Sequence, residues 1–207
     1  MSVDALLDFI AYPESRNNYD AIWGGIRTSD RPSKPISTMT IGQVLDWQDS
    51  IDAKYMSEAS GAWQFMEDTL RGLYAEAGLS RSSKFDQRNQ RILATQLLKR
   101  RGLDDYLAGE ITATKFAQSL SKEWASLPCT IKDRKGRAAR GQSYYAGDGL
   151  NKAHVTISAL LKAVNDAKSE PIAPVVDHVQ EPRKTHKPNP FSAIINAILR
   201  LFGRGRK

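Results

Sequence analysis

The sequence predicts a mainly α-helical domain with one small lobe that is either a β-hairpin or irregular, followed by a proline-rich linker and a C-terminal amphipathic helix. Apolar residues recur at three- and four-residue intervals through most of the first 167 residues, which is typical of the buried face of a helix. Glycines, prolines and capping residues divide that stretch into separate helices. We therefore expect a domain over residues 1–167, a linker over residues 168–189 and a tail over residues 190–207.

The first helix and the lobe that follows it are predicted from apolar spacing and from proline positions. Apolar side chains at positions 3, 6, 7 and 10 fall on one helix face. Because Pro13 has no N–H and restricts the residue before it, we expect the helix to stop at Tyr12. Glu14 would then begin an irregular segment. Residues 19–37 contain a Gly-Gly pair and two prolines, which favours a small hairpin or an ordered loop.

The remaining helices of the domain are predicted from their start and stop residues. A capping or small residue stands at the start of each apolar-periodic stretch, and most of these stretches end at glycine or proline. The predicted helices cover residues 40–54, 61–78, 86–102, 114–128 and 151–167.

Composition excludes several kinds of site. The single cysteine, Cys129, cannot form an intramolecular disulfide. The three histidines are far apart in sequence and have no cysteine or carboxylate at ligand spacing, so we predict no metal site. No glycine-rich phosphate loop follows a strand pattern. We therefore expect no cofactor.

The net charge of +7 is concentrated at the C-terminus, where seven Lys and Arg residues face one Glu from position 181 onward and supply +6 of the total. The apolar stretch over residues 191–202 is shorter than the roughly 20 residues that a membrane-spanning helix needs. Its apolar face and basic flanks predict a helix that binds an anionic membrane or lipopolysaccharide; the alternative is a final core helix. The predicted membrane-binding residues are Phe191, Ile194, Ile195, Ile198, Leu199, Arg200, Arg204, Arg206 and Lys207.

Three separate segments carry a resemblance to a known family. Residues 14–25 read Glu-Ser-Arg-Asn-Asn-Tyr-Asp-Ala-Ile-Trp-Gly-Gly, residues 60–65 read Ser-Gly-Ala-Trp-Gln-Phe, and residues 123–128 read Glu-Trp-Ala-Ser-Leu-Pro. In order and spacing they resemble the phage lambda-type endolysins over about residues 3–165. The third segment is the most specific, because five fixed residues rarely recur by chance.

The resemblance implies a lysozyme-like fold and a peptidoglycan substrate. Lambda-type members are lytic transglycosylases that cleave the β-1,4 bond between N-acetylmuramic acid and N-acetylglucosamine. Glu14 corresponds to the family's catalytic Glu, which protonates the glycosidic oxygen before the muramic 6-hydroxyl closes onto C1. Gln64, in the Gly-x-x-Gln helix start, is implied as a substrate contact, with a helix-capping amide as the alternative. Ser60, which lies near it, is a second predicted substrate contact, with a turn or capping role as the alternative.

Two aromatic residues of the first segment, Tyr19 and Trp23, could stack on sugar faces. Core packing is at least an equal alternative for each of them, because large aromatic side chains dominate protein cores.

Asp20 leaves a second mechanism open. Inverting glycosidases use a second carboxylate to activate water, about 6.5–9.5 Å from the acid. Glu14, Asp20 and Thr28 occur in the order found in phage T4-type lysozymes, although the spacing from Glu to Asp is shorter here. The alternative to transglycosylation is therefore a muramidase with Glu14 as acid and Asp20 as base.

A second functional class also remains open, namely a membrane-active or virion-associated interaction protein built on a lysozyme-like scaffold. The N-terminus has neither a basic n-region nor a long apolar h-region, so no signal peptide is predicted. We expect the protein to stay in the host cytoplasm until lysis and then to reach the periplasm and cell wall. We also expect a monomer that binds no nucleic acid.

Overall fold

The computed structural model describes residues 2–132, 139–147 and 151–168. The mainly helical class is confirmed by the helices of this part of the chain. The described residues contain isolated β-bridges but no strands. The lobe over residues 19–37 is therefore irregular, with two short 3₁₀ turns, and is not a hairpin. The helices are α1 (Val3–Ser15), α2 (Ile41–Asp52), α3 (Glu67–Leu73), α4 (Gln87–Arg100), α5 (Leu103–Ala108), α6 (Ala113–Leu120) and α7 (Ile157–Lys168).

The core forms where α1, α4, α6 and α7 meet. Helix α1 packs against α7 and α4, and α7 also packs against α6. Leu7 and Ile10 of α1 and Leu160 and Val164 of α7 are completely buried. Burying each such side chain contributes roughly 1.5–3 kcal/mol relative to leaving it exposed. The last turn of α1 therefore follows directly from a helix that is anchored in a well-packed core.

Side-chain caps fix the starts of three helices. Thr40 and Gln43 form a reciprocal capping box at α2, Asp86 accepts a hydrogen bond from the Asn89 N–H at α4, and Thr112 caps α6. Such caps are typically worth about 1 kcal/mol each. The predicted starts at residues 40 and 86 are confirmed.

The predicted end of the first helix is wrong, because α1 continues through Pro13 to Ser15. Proline removes only one hydrogen bond this close to a helix end. The last turn is held by other contacts: the Arg16 N–H donates to the carbonyl of Tyr12, and the Ser15 hydroxyl donates to the carbonyl of Ala62 outside the helix. Glu14 is consequently a helical residue in the last turn of α1.

The predicted helix start at residue 61 is also wrong. Residues 61–64 form a closed turn in which Gly61 and Gln64 have φ angles of 79° and 52°. Ser60 and Phe65 pair on either side of this turn through two backbone hydrogen bonds. Helix α3 begins only at Glu67 and ends at Leu73, short of the predicted end at residue 78.

Other boundaries differ from the predictions. Helix α6 ends at Leu120, although its pattern predicted a helix to residue 128, and α7 begins at Ile157 rather than at residue 151. The short helix α5 was not predicted. The predicted linker and tail lie outside the described residues, except for Lys168. None of the helices in the described part of the chain is both long and apolar enough to cross a membrane.

Gln90 of α4 holds the turn at residue 61 in place. Its side chain is completely buried, accepts a hydrogen bond from the Ala62 N–H, and donates to the carbonyls of Tyr19 and Phe85. A Cβ atom on Gly61 would lie 2.5 Å from the Gln90 amide oxygen, so this close approach requires glycine. The side-chain amide of Gln90 thus connects the backbone at Tyr19, Ala62 and Phe85.

We expect Gln90→Ala to lower the free energy of unfolding by at least about 2 kcal/mol, because it leaves two buried backbone groups and one partly buried one without partners. Urea denaturation followed by circular dichroism measures this change. Arg88→Ala, an exposed position on the same helix, is the matched control and should change stability by less than about 0.5 kcal/mol. Equal stability of the two variants would contradict the assigned role of Gln90.

Candidate active site

A cleft with a volume of about 600 Å³ contains the end of α1. Its walls come from the irregular lobe, from the turn after residue 60, and from the segment after α6. The lining residues are Glu14, Trp23, Met56, Ser57, Ala59, Trp63, Gln64, Met66, Glu123, Trp124, Ala125, Tyr145 and Asn151. The cleft therefore gathers residues from all three segments that carry the resemblance.

Glu14 is held in this cleft by Ser126, which is 112 residues away in sequence. The Ser126 hydroxyl donates to Glu14 Oε1 at 2.5 Å, and the Ser126 N–H donates to the same oxygen at 3.3 Å. Ser126 itself is buried. Because both contacts use Oε1, Oε2 is the oxygen that the described residues leave for a substrate.

Burial raises the pKa of the Glu14 carboxyl above its ordinary value, because removal from water disfavours the charged form. The hydrogen bonds from Ser126 and the positive charge that His154 can carry oppose this rise without cancelling it. A carboxyl with a raised pKa keeps its proton to higher pH, which is what a general acid requires.

Two tryptophan side chains and one serine join the segments that line the cleft. The Trp63 indole N–H donates to the carbonyl of Leu7 at 3.1 Å, and the Trp124 indole N–H donates to the carbonyl of Trp63 at 3.3 Å. The Ser15 hydroxyl donates to the carbonyl of Ala62 at 2.8 Å. These contacts fix α1, the turn and the segment after α6 relative to one another.

Trp23 and Gln64 line the cleft together with Glu14. The Trp23 ring is partly exposed and lies so close to Gly25 that a Cβ there would come within 2.1 Å of it. The Gln64 amide donates to the carbonyl of Gly61, within the turn and not at a helix start. The helix-capping alternative for Gln64 is therefore wrong.

Tyr19 and Ser60 are not brought to the cleft. Tyr19 packs edge-on against Trp63 with ring centroids 5.9 Å apart, and its hydroxyl accepts a hydrogen bond from Arg91. Ser60 is completely buried, and its hydroxyl oxygen accepts a hydrogen bond from Gln48. The predicted substrate contact at Ser60 is wrong, because a fully buried side chain cannot reach a sugar.

Asp20 lies in a separate depression of about 340 Å³ that residues 31–36 help to line. It is exposed, and its carboxylate accepts a hydrogen bond from the Ser37 N–H at 2.8 Å. Asp20 is not among the residues that line the Glu14 cleft. The membrane-binding residues predicted in the tail lie outside the described part of the chain.

The sequence analysis missed two polar residues of the site, Glu123 and Ser126, although both belong to the third segment. Glu123 lines the cleft and forms an ion pair with Arg101. Tyr145 and Asn151 also line it, but nothing in their local sequence distinguishes them. No cluster of three metal-ligating side chains occurs in residues 2–132, 139–147 and 151–168.

A family model described as Endolysin matches residues 4–149, more than half of the chain. The chain belongs to the Endolysin family. This endolysin is therefore an enzyme of bacteriophage type that degrades peptidoglycan.

Among solved structures, the chain is similar to bacteriophage lambda lysozyme in complex with a chitohexasaccharide. The identity is 21%, the match covers 79% of this chain and 91% of that chain, and the TM-score is 0.44. No curated protein matches the chain.

We expect Ser126→Ala to raise the pKa of Glu14 further, because a hydrogen bond that stabilises the carboxylate is lost. The carboxyl ¹³C shift of Glu14 as a function of pH measures this change. Ser50→Ala, in which an exposed serine of α2 is replaced, should leave the pKa unchanged. A lower or unchanged Glu14 pKa in the Ser126 variant would contradict the assigned contact.

Proposed function

We propose that this endolysin cleaves the β-1,4 bond between N-acetylmuramic acid and N-acetylglucosamine as a lytic transglycosylase, with Glu14 as general acid. The observation that carries the proposal is the environment of Glu14. It is a partly buried carboxyl with a raised pKa, inside a cleft, with hydrogen-bond donors on one oxygen only.

The two contacts from Ser126 indicate which oxygen carries the proton. The backbone N–H of Ser126 can only donate, so Oε1 of Glu14 acts as the acceptor. The acid's proton then resides on Oε2. Ser126 thereby positions the proton donor in addition to stabilising the carboxylate that remains after transfer.

The proposed reaction needs no water. Glu14 Oε2 gives its proton to the glycosidic oxygen as the bond from that oxygen to muramic C1 breaks. The muramic 6-hydroxyl oxygen then forms a bond to C1, and its proton returns to Glu14. The products are a 1,6-anhydro muramic end and a free 4-hydroxyl on N-acetylglucosamine, and the enzyme is regenerated in its acid form.

The placement of the other carboxylates supports this mechanism over the muramidase alternative. A hydrolase with an inverting mechanism needs a second carboxylate that can activate water beside the sugar. Asp20 lines a different depression, and Glu123, which does line the cleft, is occupied by its ion pair with Arg101. Within the described residues, Glu14 is thus the cleft carboxyl without a cationic side chain bonded to it.

Trp23 and Gln64 are the proposed sugar contacts. A partly exposed indole ring offers an apolar face to a sugar ring. Gln64 has a φ angle that non-glycine residues rarely adopt, and such backbone conformations cluster at functional sites.

We expect Glu14→Gln to reduce cleavage of purified peptidoglycan by about 10²–10⁴-fold, because an amide keeps the shape of the side chain but cannot donate the proton. Turbidity loss and mass spectrometry of the released sugars measure this. Glu110→Gln, an exposed position, is the control and should keep wild-type activity. Activity of the Glu14 variant within a few-fold of wild type would rule out Glu14 as the general acid.

The same mass spectra separate the two mechanisms. Anhydro ends support transglycosylation, whereas reducing ends from the wild-type enzyme would establish hydrolysis. Asp20→Asn should cause a smaller loss than Glu14→Gln; an equal loss would favour Asp20 as the base that activates water.

We also propose that the tail over residues 190–207 binds anionic membrane or lipopolysaccharide. The basis is its sequence alone: an apolar helix face beside a cluster of cations. Each Lys or Arg near such a surface adds roughly 1 kcal/mol of attraction. The tail would bring the enzyme to the envelope, while the domain supplies the cleavage.

We expect deletion of residues 181–207 to abolish binding to anionic lipid vesicles and to leave cleavage of purified peptidoglycan intact. Ile195→Asp with Ile198→Asp, which keeps every cation, should also weaken vesicle binding if the apolar face inserts. Co-sedimentation with anionic and zwitterionic vesicles measures both. Loss of peptidoglycan cleavage on deletion would instead make the tail part of the domain core.

A further inference from the structure

A polar side pocket of about 220 Å³ opens beside the cleft that contains Glu14. Trp63, Gln64, Met66, Glu123, Trp124 and Tyr145 line both spaces. The pocket alone adds to these shared walls Phe65, Thr69, Leu97, Arg101 and Lys122. A group attached to a sugar in the cleft can therefore enter the pocket without leaving the enzyme.

One wall of this side pocket is an ion pair between Arg101 and Glu123. Arg101 Nε donates to Glu123 Oε2 at 2.7 Å, and Nη2 contacts the same oxygen. The Glu123 side chain is only 14% exposed and that of Arg101 34% exposed. Removing charges from water to this extent is costly, so a pair of this kind needs a compensating contribution from geometry or from a ligand.

The ion pair leaves one donor and one acceptor open. Its contacts use Oε2 of Glu123 and the Nε and Nη2 atoms of Arg101. Among the described residues, Oε1 of Glu123 and Nη1 of Arg101 have no partner. The pocket wall thus offers an anionic acceptor beside a cationic donor, which matches a ligand that carries an ammonium and a carboxylate close together.

We propose that this side pocket binds the charged end of the peptide that muramic acid carries in peptidoglycan, with the peptide carboxylate at Arg101 and its ammonium at Glu123. The proposal rests on the proposed function, because it requires muramic acid in the cleft. The polar walls suit a peptide better than the acetyl methyl groups of the sugars. Arg101 and Glu123 would make this endolysin select glycan strands that bear peptides.

The test compares two substrates: purified peptidoglycan strands with their peptides, and the same strands after an amidase has removed the peptides. The measured quantity is the ratio of kcat/KM on the first substrate to kcat/KM on the second. The wild-type ratio should exceed one. In Arg101→Gln it should fall about tenfold, because one charge-assisted hydrogen bond to the peptide carboxylate is lost.

Arg100→Gln is the matched control, since Arg100 neighbours Arg101 on the chain but pairs with Glu76 outside the pocket. It should keep the wild-type ratio. If Arg101→Gln lowers the melting temperature, the exchanged pair Arg101→Glu with Glu123→Arg restores the ionic contact and reverses the charges. The ratio should still fall in the exchanged pair.

The outcomes separate this proposal from the function on which it rests. A wild-type ratio near one, or an unchanged ratio in both the single and the exchanged variants, would overturn the peptide pocket while leaving the cleavage reaction intact. Failure of the wild-type enzyme to cleave either substrate would overturn the proposed function itself.

Discussion

The carboxyl of Glu14 depends on Ser126, and most of the domain serves to keep these two residues together. A carboxyl that is partly removed from water is tolerated only with hydrogen-bond partners, and these partners come from a segment 112 residues away. The contact requires that α1 and the segment after α6 be held in fixed relative positions. Helix α7 holds them there, because it packs against both α1 and α6.

A second requirement is that the turn over residues 61–64 stays non-helical. The Trp63 indole N–H donates to the carbonyl of Leu7 in α1, and the Trp63 carbonyl accepts a hydrogen bond from the Trp124 indole N–H. The turn therefore connects the helix that carries Glu14 with the segment that carries Ser126. Gln90 holds the same turn through the Ala62 N–H. Each bond satisfies a polar group in a buried environment, where an unpaired group would cost about 1–3 kcal/mol.

The sequence predicted the features that depend on neighbouring residues and failed where distant contacts decide. Thr40 and Asp86 begin helices because a cap acts within one turn, and this is readable from local sequence. The predicted end of α1 at Tyr12 and the predicted helix start at Gly61 were wrong, because bonds such as Ser15 to Ala62 override local preference. Gln64 was implied as a substrate contact by the resemblance, and Trp23 was left between sugar stacking and core packing; both line the cleft. The partnership of Glu123 with Arg101 spans 22 residues and leaves no local pattern.

The two carboxylates of the cleft differ because their partners differ. Glu14 receives hydrogen bonds from the neutral groups of Ser126, whereas Glu123 is bonded to the Arg101 guanidinium. Burial is the main reason that the pKa of Glu14 is raised. Because the Arg101 guanidinium neutralises Glu123, a second carboxylate can line the cleft without placing an unpaired negative charge beside Glu14. In the proposed reaction and the proposed peptide pocket, these two identical functional groups take different roles, one as proton donor and one as a recognition group, because their environments are unlike.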